Sequence, residues 1–313
     1  LNEQLEKNQK EVFALQQKLV QDGESTSRAI SNLILGNQLW ENKKRDRAIV
    51  SYKNALALRP RDPHINYALG QAYLNEYLYE DAIARLRVAI EEDPEFGQAY
   101  MQLGLAVRFQ ADKVYSQTRD EDQRDIAYNE AIGYLKRAGE LLPDSDDALA
   151  TLGGTYRRLN DYPRSLRYYK KALEKNPQSS YARGNVGVLA WYTGDIKTSR
   201  EVFKQVEAIA TERIEANTFG ELYWDYYDRG MARLVLNDKA SALQDYRTAV
   251  TLTRTPGEYQ SVIDVLKFLL EVKDRYPIEG LEDALKIVQD ASTSLLSEKG
   301  HAVLTQEKQP TTP

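Results

Sequence analysis

RAIVSYKNALALRP, the segment Arg47–Pro60, decides the fold because the sequence repeats it. Close copies are DAIARLRVAIEEDP, EAIGYLKRAGELLP and RSLRYYKKALEKNP, and these end at Pro94, Pro143 and Pro177. Two more divergent copies follow, at Thr198–Thr211 and Ser241–Arg254. The closing prolines at 60 and 94, and those at 143 and 177, are 34 residues apart. A 34-residue period with small residues, a ring or leucine and a closing proline predicts a solenoid of helical hairpins.

A Leu-Gly pair precedes each of the four close copies, in the predicted first helix of each hairpin. Together with the alanines and prolines, these pairs resemble the tetratricopeptide repeat (TPR) family. The resemblance implies an all-α, right-handed superhelical solenoid with six repeats over residues 29–256. We expect Gly36 to lie opposite Ala48 and Gly70 opposite Ala82, since small side chains let two antiparallel helices approach closely. The ring positions would then fill the gap to the next repeat.

The third repeat is longer than the others. Its closing Pro143 lies 49 residues after Pro94, so an insertion of about 15 residues is expected, and we place it near residues 110–124. Because the insertion falls between the two helices of the hairpin, both helices are expected to extend beyond the stack as a charged protrusion. This protrusion is either a solvated helical arm or a docking arm for a partner.

Residues 1–22 have a heptad pattern that predicts a separate N-terminal helix. Apolar residues recur there at coiled-coil spacing, with the polar Asn8 among them: Leu5, Val12, Leu15 and Leu19. The following segment 23–27, GESTS, predicts a break or a new helix start. The helix is either an oligomerising coiled coil in which Asn8 sets the register, a helix that folds back onto the solenoid, or part of a longer helix.

Two helices are predicted after the last repeat. Residues 260–276 are apolar nearly all round, and residues 281–296 are amphipathic. We expect a capping pair over residues 257–296, or a degenerate seventh hairpin, in which the second helix covers the buried first one. The polar residues 297–313 predict a disordered tail.

The composition predicts neither a catalytic site nor a site for a cofactor or metal. The chain has 313 residues, a net charge of −5 with both signs interspersed, no cysteine and only two histidines. A histidine-based metal site or catalytic dyad is therefore not expected, nor is a generic nucleic-acid binder. The sequence has no run of about 18 apolar residues, so it predicts no membrane span. We expect a cytoplasmic protein, with a membrane-tethered or extracytoplasmic one left open because the chain begins at Leu1 rather than Met.

The TPR resemblance implies a concave groove, lined by the first helices, in which a peptide binds. Counted from the Leu-Gly pairs, the candidate peptide-binding residues are Asn37, Trp40, Tyr67, Gln71, Asn75, Arg108, Arg157, Arg158, Tyr181, Trp191, Tyr192, Trp224 and Tyr227. Their rings and central arginines predict a peptide with acidic and apolar residues. Alternatively, several of the rings merely pack between neighbouring repeats. The family's clamp for C-terminal carboxylates is not expected, because Leu33 and Ala68 replace its lysine and an asparagine.

Together these features predict a non-catalytic scaffold or adaptor that binds a protein or peptide partner. The alternative is a homo-oligomeric structural assembly protein built through residues 1–21, tethered to a membrane if an anchor segment precedes Leu1. Its interface would consist of the heptad residues Leu5, Asn8, Val12, Leu15 and Leu19.

Overall fold

The computed structural model describes residues 2–216, 222–253 and 256–306, with side chains described for 22–216, 222–253 and 258–295. Within these ranges the chain forms fourteen α-helices and no strand. It divides into two compact units, residues 1–144 and 145–313. The predicted all-α class of stacked helical hairpins is therefore confirmed.

Unit 1 consists of three antiparallel hairpins in which each odd-numbered helix pairs with the helix that follows it. The second helix of each hairpin also contacts the first helix of the next hairpin, so the three hairpins form one stack. The helices are α1 (Asn2–Glu41), α2 (Arg45–Leu58), α3 (Pro63–Asn75), α4 (Tyr79–Glu92), α5 (Gly97–Thr118) and α6 (Glu121–Leu141).

Unit 2 contains three further hairpins and a final pair of helices. The hairpins are α7 (Asp146–Arg158) with α8 (Tyr162–Lys175), α9 (Ser180–Tyr192) with α10 (Ile196–Ala216), and α11 (Leu222–Val235) with α12 (Lys239–Leu252). The final pair is α13 (Pro256–Leu270) and α14 (Leu281–Gln306). One buried apolar cluster runs through the helices of this unit.

The repeat glycines lie against the ring or leucine position of the second helix, and Gly70 also lies opposite the backbone of Ala82, as predicted. A Cβ at Gly70 would stand 2.7 Å from Leu86 Cγ, and one at Gly153 would stand 2.9 Å from the Tyr169 ring. The Ala82 carbonyl lies 3.4 Å from the same Gly70 position. The large side chain fills its own hairpin and also faces the next repeat as predicted, since the Tyr169 ring centre lies 6.2 Å from that of Tyr181 on α9.

Helix α1 is a single 40-residue helix, so the predicted break at residues 23–27 is wrong. Gly23 costs a helix interior only about 1 kcal/mol. The Thr26 hydroxyl donates to the Asp22 carbonyl (2.7 Å), and Ser31 does the same to Ser27 (2.9 Å), so these polar side chains are satisfied inside the helix. Packing of the buried Ala29 beside Ala55 further stabilises this part of α1.

Helices α5 and α6 are longer than the other helices of unit 1 apart from α1, with 22 and 21 residues against 13 or 14. The extra turns lie at the end of α5 and at the start of α6, where the insertion was placed. Arg119 joins the two helices with a left-handed backbone, φ +59°. Asp120 then caps α6, because its carboxylate accepts a hydrogen bond from the Gln123 amide at 2.9 Å.

At the C-terminus, α14 continues to Gln306, so the predicted disorder is wrong for residues 297–306. This stretch contains Glu, Lys, Ala and Leu, which favour helix, and its one glycine is not enough to end it. Residues 307–313, the rest of the predicted tail, lie outside the described residues.

Candidate functional site

In unit 1, the predicted groove residues on α1 leave two polar or aromatic groups accessible. Asn37 is exposed, and its Oδ1 accepts a hydrogen bond from the Tyr52 hydroxyl at 2.9 Å. Burial, and then the charge of Glu41, raise the pKa of Tyr52 to about 12, so this hydroxyl remains a donor at neutral pH. Trp40 is partly buried, with the Arg45 guanidinium 5.6 Å from its ring centre.

Helix α3 lies between α1 and α5, and it carries the next three groove residues. Tyr67 is partly buried beside Phe96, with 4.8 Å between the ring centres. Asn75 is exposed, and its amide donates to the Gln71 carbonyl at 2.8 Å. These side chains give α3 a surface of one ring and two amides. Together with Asn37 and Trp40 on α1, they form the surface here called the first-helix face of unit 1.

Arg108 on α5 was expected in the centre of the groove, but it is only 7% exposed. Its guanidinium lies 4.5 Å from the centre of the Phe109 ring, and Phe109 stacks on Tyr79 at 5.8 Å. The arginine is therefore largely covered by packing within unit 1.

In unit 2, two of the predicted groove arginines contact the chain's own helix α13. The Arg158 guanidinium donates to the Asp264 carboxylate at 3.1 Å. The Arg157 guanidinium stands 5.2 Å from the centre of the Phe268 ring. Helix α13 thus offers these arginines an acidic group and an aromatic group, which is the chemistry that the sequence predicted for a bound peptide.

The aromatic residues at the end of α9 contact the same part of the chain. Tyr192 stacks on Phe268, with ring centres 4.0 Å apart and planes 9° apart, and its hydroxyl donates to Glu271 at 3.0 Å. Trp191 is buried, and its Nε1 donates to the Tyr276 carbonyl at 3.1 Å. While α13 lies here, these four side chains of α7 and α9 have little surface left for another peptide.

The remaining predicted groove residues of unit 2 are spread between core and surface. Tyr227 is buried, and its hydroxyl shares a hydrogen bond of 3.1 Å with the Thr253 hydroxyl. Trp224 is partly buried beside Tyr223 and Tyr227. Tyr181, in contrast, is 52% exposed.

The predicted oligomerisation residues of α1 cannot be placed in an interface. The backbone of 2–21 is helical, but the side chains of Leu5, Asn8, Val12, Leu15 and Leu19 lie outside the described residues. Oligomerisation through them stays a prediction.

The sequence did not predict that α13 would lie against α7 and α9. The available signal was the apolar character of 260–276 on nearly every side, because a terminal cap with one solvated face would be amphipathic. Such a helix must be enclosed, and in unit 2 it packs against α14, α9 and the arginine side chains of α7.

Two protein-family models match the chain. One, described as TPR repeat, matches residues 36–76, and the other, described as Tetratricopeptide repeat, matches residues 125–184. The chain is a tetratricopeptide repeat protein. The predicted family is thereby confirmed, and TPR proteins are in general helical-repeat scaffolds for protein interaction.

Curated relatives of this TPR protein are longer chains. Anaphase-promoting complex subunit 3 of Schizosaccharomyces pombe is 25% identical over 184 residues, which cover 59% of this chain and 25% of that protein. The Hsp70-Hsp90 organising protein of Plasmodium falciparum is 24% identical over 160 residues, 45% of this chain and 28% of that protein. The TPR protein thus spans about a quarter of the length of these relatives.

Solved structures support the fold alone. The Pseudomonas aeruginosa pilF structure has a TM-score of 0.51 at 18% identity and covers 76% of this chain and 97% of its own. A thermophilic TPR protein of Thermus thermophilus has a TM-score of 0.50 at 21% identity, covering 60% of this chain and 94% of its own.

Two further features bear on chemistry in the described part of the TPR protein. No group of three or more His, Asp or Glu side chains there is placed to hold a metal ion. Among the same residues, no helix has the length and apolar character needed to cross a membrane.

A partly buried acidic pair lies between α9, α10 and α11 of the TPR protein. Burial raises the pKa of Asp228 to about 6; a hydrogen bond with Ser180 and the charge of Arg213 oppose this shift, and the neighbouring Asp225 carboxylate adds to it. Burial also raises the pKa of Asp225, against the effect of Arg213, whose Nη1 lies 3.5 Å from the Asp225 carboxylate. Ionised Asp228 therefore opposes folding at neutral pH.

Replacing Asp228 by Asn is expected to raise the free energy of unfolding at pH 7 by about 1–3 kcal/mol. The folded protein binds a proton at Asp228 more tightly than the unfolded chain does, so wild-type stability falls as pH rises from about 4 to 6. Asp228→Asn removes this slope, and the two proteins should have equal stability near pH 4. Urea unfolding of both proteins at several pH values measures this difference in stability.

The control for this prediction is Asp238→Asn. Hydrogen bonds from Ser241 lower the pKa of Asp238, so its ionised form favours folding and the substitution should not stabilise the protein at pH 7. If Asp228→Asn lowers the stability at pH 7, the buried carboxylate is a net stabilising group and the prediction is wrong.

Proposed function

We propose that this TPR protein is a non-catalytic scaffold that binds an extended or helical peptide segment of a partner on the first-helix face of unit 1. The observation that carries the proposal is the contrast between the two units. In unit 2, α13 contacts Arg157, Arg158 and Tyr192, and Trp191 donates to Tyr276 in the segment after α13. The corresponding residues of α1 and α3 keep exposed or partly exposed side chains.

The chemistry of this face suits a peptide with apolar side chains and free backbone groups. Asn37, Gln71 and Asn75 carry amides that can both donate to and accept from a peptide backbone. Trp40 and Tyr67 add rigid rings, which contribute contact area at low entropic cost. The predicted preference for acidic residues rested on Arg108, Arg157 and Arg158, which are covered or paired here, so we expect apolar residues to dominate recognition.

Selection of 16-residue peptides from a displayed random library, with the whole chain as bait, tests this proposal. The dissociation constant of the selected peptides is then measured by calorimetry. Trp40→Ala and Gln71→Ala are each expected to weaken binding by at least about tenfold, because central interface anchors account for most of the binding energy. The matched control is Asn54→Ala on α2, an exposed residue away from this face, which should leave the affinity within about twofold.

Selected peptides that bind Trp40→Ala and Gln71→Ala as tightly as the wild type would contradict the proposed site. Failure to select any peptide would do the same. Circular dichroism of each variant shows that a loss of binding does not come from unfolding.

A further inference from the structure

A cleft of about 230 Å³ opens between α4, α5 and α6 of unit 1. Its floor is apolar and is formed by Ile83, Val107, Ala111, Val114 and Ala127. Small-molecule sites usually enclose about 300–1,000 Å³. The cleft is smaller, and its size fits one large side chain of a binding partner.

The lengthened helices build much of this cleft. Val114 lies in the additional turns of α5, and Gln123, Arg124 and Ala127 lie in those of α6. Helices of regular repeat length would not include these positions. The cleft therefore belongs to the insertion of the third repeat and is separate from the first-helix face.

One feature beside the cleft is unusual for a surface that faces only water. Ile126 is 71% exposed and lies three residues after Gln123 and four before Glu130, so it flanks the cleft face of α6. An occupant with an apolar side chain would cover it.

The charges around the cleft limit what this occupant can be. Arg87 pairs with Glu130 at 3.0 Å and Arg124 with Asp125 at 2.8 Å, so the two lining arginines are already neutralised. Exposed carboxylates lie in the first turns of α4 and α6: Glu80, Asp81, Glu121 and Asp122. One of these, Glu80, accepts a hydrogen bond from the Gln110 amide at 3.1 Å, next to the cleft. The surroundings favour positive charge.

We propose that the cleft is a second protein-docking site, which takes one large apolar side chain of a partner peptide that carries Lys or Arg on both flanks. The apolar side chain fills the floor and contacts Ile126. The basic flanks of the peptide face the carboxylates of α4 and α6. The insertion thereby gives the scaffold a site for a partner different from the one on the first-helix face.

Three labelled 12-residue peptides of matched length test the proposal by fluorescence anisotropy with the whole chain. The first has a central Trp with two Lys on each side, the second replaces Lys by Glu, and the third replaces Trp by Ala. The first peptide is expected to bind at least about tenfold more tightly than the other two. Its affinity should also fall with added salt, because the flanking charges are exposed.

Two variants locate the site. Ala127→Trp fills the cleft, and Ile126→Asn replaces the exposed apolar contact without adding a charge; each should weaken binding of the first peptide by at least about fivefold. Val50→Asn is the matched control, since Val50 is a 57% exposed aliphatic residue of unit 1 on α2, and it should leave the affinity unchanged. Gln71→Ala should also have no effect, which separates this site from the first-helix face.

The proposal is overturned if the first peptide does not bind or binds no better than the other two. It is also overturned if Ile126→Asn leaves the affinity unchanged, or lowers it no more than Val50→Asn does. Ile126 is exposed and its replacement should not affect folding, so the result can be interpreted even if Ala127→Trp proves unstable.

Discussion

Phe268→Ala is expected to lower the free energy of unfolding of unit 2 by about 3–5 kcal/mol, the range for phenylalanine truncation in a core. The ring is only 9% exposed. It stacks on Tyr192 at 4.0 Å, contacts Tyr162 at 5.8 Å and has the Arg157 guanidinium 5.2 Å from its centre. Its removal leaves a cavity at the point where α13 meets α7 and α9.

Urea unfolding followed by circular dichroism measures this effect, with Lys267→Ala as the control. Lys267 precedes Phe268 on α13 but is exposed, so its truncation should change the stability by less than about 0.5 kcal/mol. Equal, small changes for both variants would mean that α13 does not contribute to the stability of unit 2 as its contacts indicate. A selective loss for Phe268→Ala would support α13 as an integral part of that unit.

The hairpins could be predicted from the sequence because their determinants are local. The closing proline and the Leu-Gly pair of each hairpin lie within one repeat of about 34 residues. The contact between each glycine and the large side chain of its own hairpin was not predicted, because a sequence period does not give the crossing of two helices. In the structure, Gly70 lies against both Leu86 and the backbone of Ala82.

The location of α13 could not be predicted because it depends on contacts between distant segments. Arg158 and Asp264 are 106 residues apart, and Trp191 and Tyr276 are 85 residues apart. The sequence predicted a buried apolar helix within residues 260–276, but it did not show against which helices this helix packs. It also counted the groove arginines of unit 2 as ligand-binding groups, whereas the chain itself supplies their acidic and aromatic contacts.

Asp245 on α12 binds two arginines of α11 in a buried ionic network. The carboxylate is 3% exposed and accepts hydrogen bonds from Arg229 at 2.7 and 3.0 Å and from Arg233 at 2.8 Å. Arg233 also donates to Glu207 on α10 at 3.0 Å. The Asp245 carboxylate raises the pKa of Arg229, mainly through the hydrogen bonds between them, so Arg229 is charged at neutral pH.

Asp245→Ala is expected to lower the free energy of unfolding by about 3–5 kcal/mol, because it leaves two largely buried guanidinium groups without their shared carboxylate. Glu207→Ala is the matched control: Glu207 is a more exposed partner of Arg233, and its loss should cost no more than about 1 kcal/mol. Chemical denaturation at neutral pH compares the two. In the combined variant Asp245→Leu, Arg229→Met and Arg233→Met, stability should recover most of the way to wild type, since apolar residues of similar size can replace a buried ionic network. If the combined variant is no more stable than Asp245→Ala, the network contributes net stability of its own rather than a penalty that appears only when one charge is removed.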